Sequence, residues 1–321
     1  MDNLASLIEH LQAFSGIRRK KDIQPLLRIF GSMQAGMLDP IGDDAAVLPD
    51  REGYLLFSSD GILPDLVREE PFWAGYCAVL VSVSDIYAMG GRPTAIVNLL
   101  SAPNEAAAEQ IAEGMAEGCR KLGVPMVGGH FLPGESEGVG TAILGRATHL
   151  LRGTNGKPGH ALIAAIDLDG RPVKHYPQWD STSFHSPASL QAKLELLPRI
   201  AEAGLAESAR DISNAGVLGT IAMLAENAGS GASIELDRIP KPEHVTWERW
   251  LRTYPGYGFI LSAEPRHCDE ILALFASEGI TAQVIGKLTR DSRVIIRQDE
   301  EEAVLIDWHQ EDLVVGRRAQ S

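Results

Sequence analysis

Residues 72–101 read FWAGYCAVLVSVSDIYAMGGRPTAIVNLLS, and this stretch contains the two kinds of element that recur along the chain. The run 72–89 is strongly apolar with a helical pattern, and Gly90-Gly91 is a good helix terminator. A proline follows, and residues 94–101 are then typical of a buried strand. The stretch therefore predicts a buried helix that passes directly into a buried strand.

The rest of the chain also alternates strand-like and helix-like segments, which predicts an α/β or α+β fold. The glycine-rich run RGTNGKPGH (152–160) is the strongest interruption. Since a domain takes roughly 150 residues, we expect two domains, 1–152 and 153–321. The other predicted strands are 54–61, 124–130, 140–151, 161–167, 257–263, 281–287 and 293–297. The other predicted helices are 4–14, 105–123, 188–204, 216–228 and 267–278.

The composition excludes several classes of protein. The chain has 321 residues and a formal net charge of −14, which argues against a nucleic-acid or membrane-surface partner because such partners need a basic face. Three cysteines without a CxxC pair fit a reducing compartment rather than a zinc ribbon or a disulfide scaffold. No run approaches the roughly 18 apolar residues of a membrane span, and the N-terminus does not have the pattern of a signal peptide. We therefore expect a cytoplasmic enzyme.

Four aspartates stand at the ends of apolar elements in the first hundred residues. Asp43 and Asp44 lie in IGDDAAVLPD (41–50), and Asp60 closes the predicted strand in SSDG. Asp85 lies about one turn from the C-terminal end of its predicted helix, where a carboxylate is unfavourable by roughly 0.3–1 kcal/mol. Taken singly, each is an ordinary turn residue or an exposed acid. Taken together, they predict a site for one or more Mg²⁺ ions, which prefer oxygen ligands and keep substrate phosphates as partners.

The usual phosphate-binding loops are not present in the sequence. There is neither a GxxxxGK[ST] nor a GxGxxG after a strand, so P-loop and Rossmann chemistry are not expected. Gly128-Gly129-His130 stands at a predicted strand end, where backbone N–H groups and the imidazole would face a phosphate. The alternative there is a tight turn with a surface histidine. The basic run 18–21 is a second candidate for phosphate contact, although such runs are more often simply solvated.

Seven stretches carry a resemblance to a known family, in that family's order and spacing across nearly the whole chain. They are IGDDAAVL (41–48), SSDG (58–61), SVSDIYAMGGRPTAIVNLL (82–100), VPMVGGH (124–130), DISNAGVLGTIAML (211–224), PGYGFILS (255–262) and VIGKLT (284–289). The chain thereby resembles the PurM-like superfamily, which includes aminoimidazole ribonucleotide synthetase, thiamine-monophosphate kinase and selenophosphate synthetase. The resemblance implies an N-terminal domain that dimerises through its sheet, a C-terminal α/β sandwich domain, and ATP bound between them.

The resemblance also implies phosphoryl transfer from ATP, a chemistry that depends on metal clamping and positioning more than on covalent participation. On this basis Mg²⁺ would be held by Asp43, Asp44, Asp60 and Asp85. The nucleotide would be bound by Asp43, Asp44, Ser59, Asp60, Gly128, Gly129 and His130. The expected catalytic residues are Asp211, Asn214, His130 and Lys20, of which Lys20 would neutralise phosphate.

Two departures from the family patterns bear on the acceptor. Thiamine-monophosphate kinases carry Gly-Gly-Asp and Ser-Asp-Gly where this chain has GGH (128–130) and SNA (213–215), so a metal-binding acid and a catalytic acid are missing. Selenophosphate synthetases carry a reactive Cys or Sec before a lysine, whereas FSGIRRKK (14–21) has no cysteine. The motifs resemble an AIR synthase-related, selenophosphate synthetase-like subgroup that lacks this thiol and whose acceptor is unassigned.

Three functions are therefore open on sequence grounds. The first is a homodimeric ATP- and Mg²⁺-dependent phosphotransferase or ATP-activating, ligase-type enzyme with a small-molecule acceptor. The second is a selenophosphate synthetase-like activity without the thiol, which would give AMP and phosphate where a simple kinase gives ADP. The third is a regulatory or scaffold protein that binds nucleotide without turnover, since fold predicts function only weakly.

Overall fold

The computed structural model of the chain describes residues 3–33, 38, 41–134 and 137–314. Between the predicted strands 124–130 and 140–151 the sequence predicts a loop, FLPGESEG (131–138), of which residues 135 and 136 lie outside the described residues. The α-helices are α1 (Leu4–Gln12), α2 (Ser15–Arg18), α3 (Gln24–Phe30), α4 (Pro64–Glu69), α5 (Pro71–Ala88), α6 (Glu105–Leu122), α7 (Pro187–Leu194), α8 (Leu196–Glu202), α9 (Gly216–Asn227), α10 (Trp247–Arg252) and α11 (Cys268–Ser277). Short 3₁₀ helices cover Arg19–Ile23, Gly31–Met33, Gly153–Asn155, Leu236–Arg238 and Pro265–His267.

The strands alternate with these helices along the chain. They are β1 (Ala46–Asp50), β2 (Gly53–Gly61), β3 (Arg92–Ala102), β4 (Met126–Pro133), β5 (Gly138–Ala147), β6 (Ala161–Ile166), β7 (Arg171–Pro172), β8 (Gln178–Asp180), β9 (Ser208–Asp211), β10 (Gly231–Glu235), β11 (Tyr254–Pro255), β12 (Gly258–Ala263), β13 (Thr281–Thr289), β14 (Arg293–Gln298) and β15 (Glu301–Asp307). The mixed α/β class predicted from the sequence is confirmed.

The helix and strand predicted from residues 72–101 are both present, as α5 and β3. Gly90, just after the helix, has a φ of 79°, a left-handed conformation that glycine adopts without strain. Helix α5 is buried around most of its circumference, which explains why its sequence has no continuous polar face. Among the described residues, no helix is both long and apolar enough to cross a membrane.

Several predicted boundaries are wrong in detail. Strand β4 continues to Pro133, so residues 131–133 are strand rather than loop. The predicted helix 188–204 is two helices, α7 and α8, which meet at Glu195. Strands β10 and β15 have no counterpart among the predictions, because glycine or acidic residues interrupt their apolar patterns.

The chain divides into two compact units, each discontinuous in sequence. The smaller unit contains Asp44–His149 and Phe184–Arg199, and the larger unit contains Met1–Asp43, Leu150–Ser183 and Ile200–Ser321. The predicted domains 1–152 and 153–321 divide the chain near the same point but assign residues 1–43 and 184–199 differently. That division into domains stays a prediction.

The smaller unit is built on a five-stranded sheet with the order β1-β2-β5-β3-β4. Strands β3 and β4 are parallel, and the other neighbours are antiparallel. Helix α5 packs on β2, β3 and β5, and α6 packs on α5. Because side chains alternate along a strand, Leu56 and Ser58 of β2 are buried on the helix side, whereas Phe57 lies on the open side and is 50% exposed.

The open side of this sheet is apolar. Leu48, Phe57 and Leu99, from three different strands, are exposed there, as their register predicts. Strand β4, at the edge, also exposes Leu132, which pairs with Ser101 on the same side. Single exposed apolar side chains are normal, but a row across neighbouring strands is typical of an interaction surface.

Side-chain interactions join residues 184–199 to the rest of the smaller unit. Arg92 of β3 pairs with Glu195, with its Nε 2.9 Å from Oε1. The side-chain amide of Gln191 donates to a backbone carbonyl of α6 at 3.0 Å. Burial, reinforced by the Glu195 carboxylate, raises the pKa of Tyr87 to about 12. The tyrosine is therefore a neutral group beside this ion pair.

The larger unit is built on a seven-stranded sheet with the order β15-β14-β10-β13-β6-β12-β9. Only β10 and β14 run parallel; the other neighbours are antiparallel. Helix α9 is buried along nearly its whole length and shares one apolar core with α1 and the sheet. A small sheet with the order β11-β8-β7 belongs to the same unit.

The N-terminal segment and the end of the described chain are tied to α9. Ile17 lies in the core beside that helix. The side-chain amide of Gln24 donates to the carbonyls of Leu313 and Val314, at 3.2 and 2.8 Å. The buried carboxylate of Glu226, on α9, accepts from the N–H groups of the same two residues at 2.8 Å each. The basic run 18–21 is thus part of a folded segment.

Candidate functional site

Two of the predicted metal ligands lie together in the smaller unit. Asp44 lies two residues before β1, and Asp85 is one turn from the end of α5. A carboxylate oxygen of Asp44 and one of Asp85 lie within 4.8 Å of one another. Two like charges at this distance are unfavourable unless a cation or a proton compensates them.

Strand β2 contributes Ser58, which contacts Asp85, and it also carries Asp60. The hydroxyl of Ser58, on the helix side of β2, donates to the Asp85 carboxylate. Asp60 follows two residues later on the same side, paired in register with Thr141. Its Oδ2 is buried, and no hydrogen-bond donor to it occurs among the described residues. A buried carboxylate oxygen without a donor is rare, because burial removes its hydration and no hydrogen bond replaces it.

The Asp44 and Asp85 carboxylates fit a divalent cation. Mg²⁺ takes oxygen ligands at about 2.0–2.1 Å and is held in proteins through a few carboxylates together with substrate phosphates. Asp44 and Asp85 supply oxygens close enough for one ion, and Asp60 supplies an oxygen that lacks any other partner in the described chain. Ser59 lies on the opposite, open side of β2 and does not join them.

The structure places Gly128-Gly129-His130 inside β4 rather than at a strand end, so that part of the prediction is wrong. The three residues pair in register with Val97, Asn98 and Leu99 of β3. A side chain at 129 would have no room, because its Cβ would lie 2.6 Å from the Asn98 carbonyl. Among the described strands β4 pairs only with β3, so its outer edge presents backbone groups, and His130 is exposed.

Asp43, although adjacent to Asp44, belongs to the larger unit and has different surroundings. Its side chain is only 3% exposed. Its Oδ2 accepts from the N–H of Gly153 at 2.8 Å, and its Oδ1 lies 3.7 Å from Nη1 of Arg210. Arg210 is absent from the residues predicted from the sequence; its position directly before Asp211 is the one signal that pointed to it.

The loop between β9 and α9 carries the predicted catalytic residues Asp211 and Asn214. Asp211 is buried at the end of β9, opposite Phe259 of β12. The side-chain Oδ1 of Asn214 is buried and has no hydrogen-bond partner among the described residues. The backbone of Gly16 packs directly on this loop, since a Cβ there would overlap the Asn214 carbonyl oxygen.

Lys20, the fourth predicted catalytic residue, lies in the 3₁₀ helix Arg19–Ile23 of the larger unit and is partly buried. Its neighbour Lys21 forms an ion pair with Glu311. The segment containing Lys20 is therefore held next to the Asn214 loop through Gly16.

The cysteines have no features of nucleophiles. Cys77 is buried in α5. Burial raises the pKa of both the Cys119 and the Cys268 thiols. Because the thiolate is the reactive form, a raised pKa makes both groups inert near neutral pH.

Family models match both halves of the chain. The AIR synthase related protein N-terminal domain matches residues 42–147, and the corresponding C-terminal domain matches residues 157–299. Protein sll0787 of Synechocystis, which is uncharacterised, is 37% identical over 317 residues, or 97% of this chain and 98% of that protein. Selenide, water dikinase of Escherichia coli is 26% identical over 272 residues, or 76% of this chain and 77% of that protein.

Solved structures share the fold at low sequence identity. AaThiL, complexed with AMPPCP and TMP, has a TM-score of 0.69 and 17% identity, covering 88% of this chain and 96% of that one. PurL of T. maritima, complexed with ATP, has a TM-score of 0.71 and 21% identity, covering 82% of this chain. The match spans only 45% of the PurL chain. These likenesses confirm the PurM-like α/β fold with two sheet-containing domains.

Proposed function

Because the chain belongs to the AIR synthase-related family, we propose that it is an ATP- and Mg²⁺-dependent phosphotransferase or ATP-activating enzyme that acts on a small-molecule acceptor. The observation that carries the proposal is the approach of the Asp44 and Asp85 carboxylates to within 4.8 Å of each other. Two carboxylates this close favour a cation between them. The uncompensated Asp60 oxygen on the same side of the sheet supports the same requirement.

Each residue of the smaller unit has a distinct task in this proposal. Asp44, Asp60 and Asp85 hold the metal, which would supply charge neutralisation on the nucleotide phosphates. Ser58 orients Asp85 by donating to its carboxylate. The exposed edge of β4 at Gly128 and Gly129 offers backbone groups to phosphate, whereas His130 pairs with Leu99 and therefore lies on the open side of the sheet. Ser59, on the open side of β2, has the weakest support among the predicted nucleotide contacts.

In the larger unit, Asp211 and Asn214 are proposed to act on the acceptor or the nucleotide. The buried Asn214 Oδ1 lacks a donor among the described residues and can accept a hydrogen bond from a ligand. Lys20 is proposed to neutralise phosphate charge, as a compact ammonium does. Gly16 keeps the segment of Lys20 packed on the Asn214 loop.

ATP is the proposed nucleotide because of what similar proteins bind. PurL of T. maritima has been solved with ADP and with ATP, and AaThiL with AMPPCP. Thiamine monophosphate is not proposed as the acceptor, since this chain has His130 and Asn214 where thiamine-monophosphate kinases carry acids. A selenophosphate synthetase-like reaction is the second candidate, favoured by the 26% identity to selenide, water dikinase.

The test is thermal unfolding of the wild-type chain with ATP alone, with Mg²⁺ alone and with both. A ligand present at 100 times its Kd should add about 2.7 kcal/mol to the free energy of unfolding, and we expect this gain only with both together.

Nucleotide products are then separated chromatographically in an acceptor screen. ADP would support a kinase and AMP the second candidate. Binding without product would support a regulatory protein, and no stabilisation at millimolar concentrations would contradict the proposal.

We further propose that the chain forms a homodimer through the open side of the five-stranded sheet, where Leu48, Phe57 and Leu99 are exposed. Replacing Phe57 and Leu99 together by Asp is expected to convert a dimer into a monomer, because each buried carboxylate would lose its hydration. The molar mass from light scattering after size-exclusion chromatography checks this. Val304→Asp, at an exposed valine of the larger unit, is the control and should leave the mass unchanged.

A further inference from the structure

Gly42 and Asp43, the two residues before Asp44, are held in place by hydrogen bonds within the larger unit. Nη1 of Arg210 donates to the carbonyl of Gly42 at 2.7 Å, and Nδ2 of Asn227 donates to the same oxygen at 3.3 Å. The Gly153 N–H donates to Asp43 Oδ2 at 2.8 Å. Asp43 and Arg210 also form an ion pair with side chains only 3% and 7% exposed. We call these five residues the Gly42–Asp43 clamp.

Asp43 and Asp44 are adjacent in the chain, but their carboxylates lie in opposite electrostatic surroundings. Both carboxylate oxygens of Asp43 face a partner within the larger unit, one the Arg210 guanidinium and the other the Gly153 N–H. A cation added to Asp43 would sit beside a buried guanidinium and be repelled by it. Asp44, by contrast, faces the like charge of Asp85. A cation therefore suits Asp44 and does not suit Asp43.

We propose that Asp43 is a positioning residue rather than a metal ligand, and that the Asp43–Arg210 pair fixes the backbone from which Asp44 presents its carboxylate. This inference rests on the proposed function. Asp44 follows Asp43 in the chain, and Asp211 follows Arg210, so each member of the pair is one peptide bond from a proposed site residue. The clamp leaves little slack: a Cβ at Gly153 would lie 2.7 Å from Asn227 Nδ2.

The experiment measures Mn²⁺ binding in the presence of a non-hydrolysable ATP analogue, from the electron paramagnetic resonance signal of free Mn²⁺. The variants are Asp43→Asn, Arg210→Met, Arg210→Lys and Asp44→Asn, each on the full chain. Arg210→Met is decisive because the two roles of Asp43 predict opposite signs. If the pair positions Asp44, its loss should weaken Mn²⁺ binding about tenfold, as the loss of a residue that orients a metal ligand typically does. If Asp43 were itself a ligand, removing the competing positive charge would tighten Mn²⁺ binding.

The inference also predicts a pattern across the other variants. Asp43→Asn keeps an oxygen for the Gly153 N–H but loses the charge, so it should weaken binding about as much as Arg210→Met. The double variant should be no worse than Arg210→Met, because that substitution already removes both the ion pair with Asp43 and the hydrogen bond to Gly42. Arg210→Lys keeps the positive charge and should recover most of the affinity, whereas Asp44→Asn should eliminate the site.

The failures of the inference and of the proposed function can be told apart. Wild-type protein that binds neither Mn²⁺ nor the analogue would overturn both. Wild-type binding together with tighter Mn²⁺ binding in Arg210→Met would overturn the inference alone. If Arg210→Met does not fold, as its far-ultraviolet circular dichroism would reveal, Arg210→Gln replaces it. That variant is also neutral but still offers an amide donor to Gly42, and the two roles again predict opposite signs.

Discussion

Asp85→Asn is expected to remove the stabilisation that Mg²⁺ and ATP give together and to lower turnover roughly 100-fold or more, as the loss of a preorganised charge at a reacting phosphate does. The stability of the ligand-free protein should move the other way. An amide at 85 still accepts from Ser58 but no longer repels Asp44, so the ligand-free variant should be as stable as the wild type or more stable. Thermal unfolding with and without the two ligands measures both effects.

The variant is expected to be less stable than the wild type with both ligands but not without them, and this difference distinguishes a lost metal ligand from a folding defect. A damaged fold would lower stability in every condition, whereas a lost metal ligand lowers it only where ligands are present. Asp65→Asn is the matched control, since Asp65 is an exposed acid of the same unit paired with Arg68. It should keep the full response to Mg²⁺ and ATP. Retention of that response in Asp85→Asn would contradict the metal site.

The parts of the fold that the sequence predicts well are those governed by local chemistry. Helix α5 and its end follow from an apolar run closed by Gly90-Gly91, and both are found at the expected residues. Strand β4 was harder to delimit because its glycines are typical of a turn. Its conformation is set instead by pairing with β3, where Gly129 has no room for a side chain. Such a constraint comes from another element and leaves no mark in the local pattern.

The same limit applies to the candidate site. The sequence groups Asp44, Asp60 and Asp85 because each ends an apolar element. The sequence does not distinguish Asp43 from Asp44. The difference between them comes from Arg210, which pairs with Asp43 but lies far along the chain. The basic run 18–21 likewise has the composition of a solvated segment. Ile17 is nonetheless buried beside α9, so tertiary packing outweighs the local charge.

Gly114→Ala is expected to destabilise the smaller unit, although alanine is the better helix former by about 1 kcal/mol. Helices α5 and α6 cross with their backbones in contact. A Cβ at Gly114 would overlap the carbonyl oxygen of Phe72, and a Cβ at Gly75 would overlap that of Ile111. Backbone atoms cannot rotate away, so the helices must separate and lose packing along their length. Overpacking of this kind costs about 1–3 kcal/mol or more, and we expect a net loss of about 2 kcal/mol.

Urea unfolding followed by circular dichroism measures this loss as a shift of the midpoint, and the glycines provide their own controls. Gly31, at the end of α3, has a helical φ of −56° and open space around its Cβ position. Gly31→Ala should therefore be neutral or stabilising by a few tenths of a kcal/mol. Gly75→Ala combined with Gly114→Ala should cost less than the sum of the two, because the first substitution already parts the helices. A midpoint for Gly114→Ala at or above the wild-type value would mean that the helices do not cross in backbone contact, and the placement of Asp85 by α5 would then need another explanation.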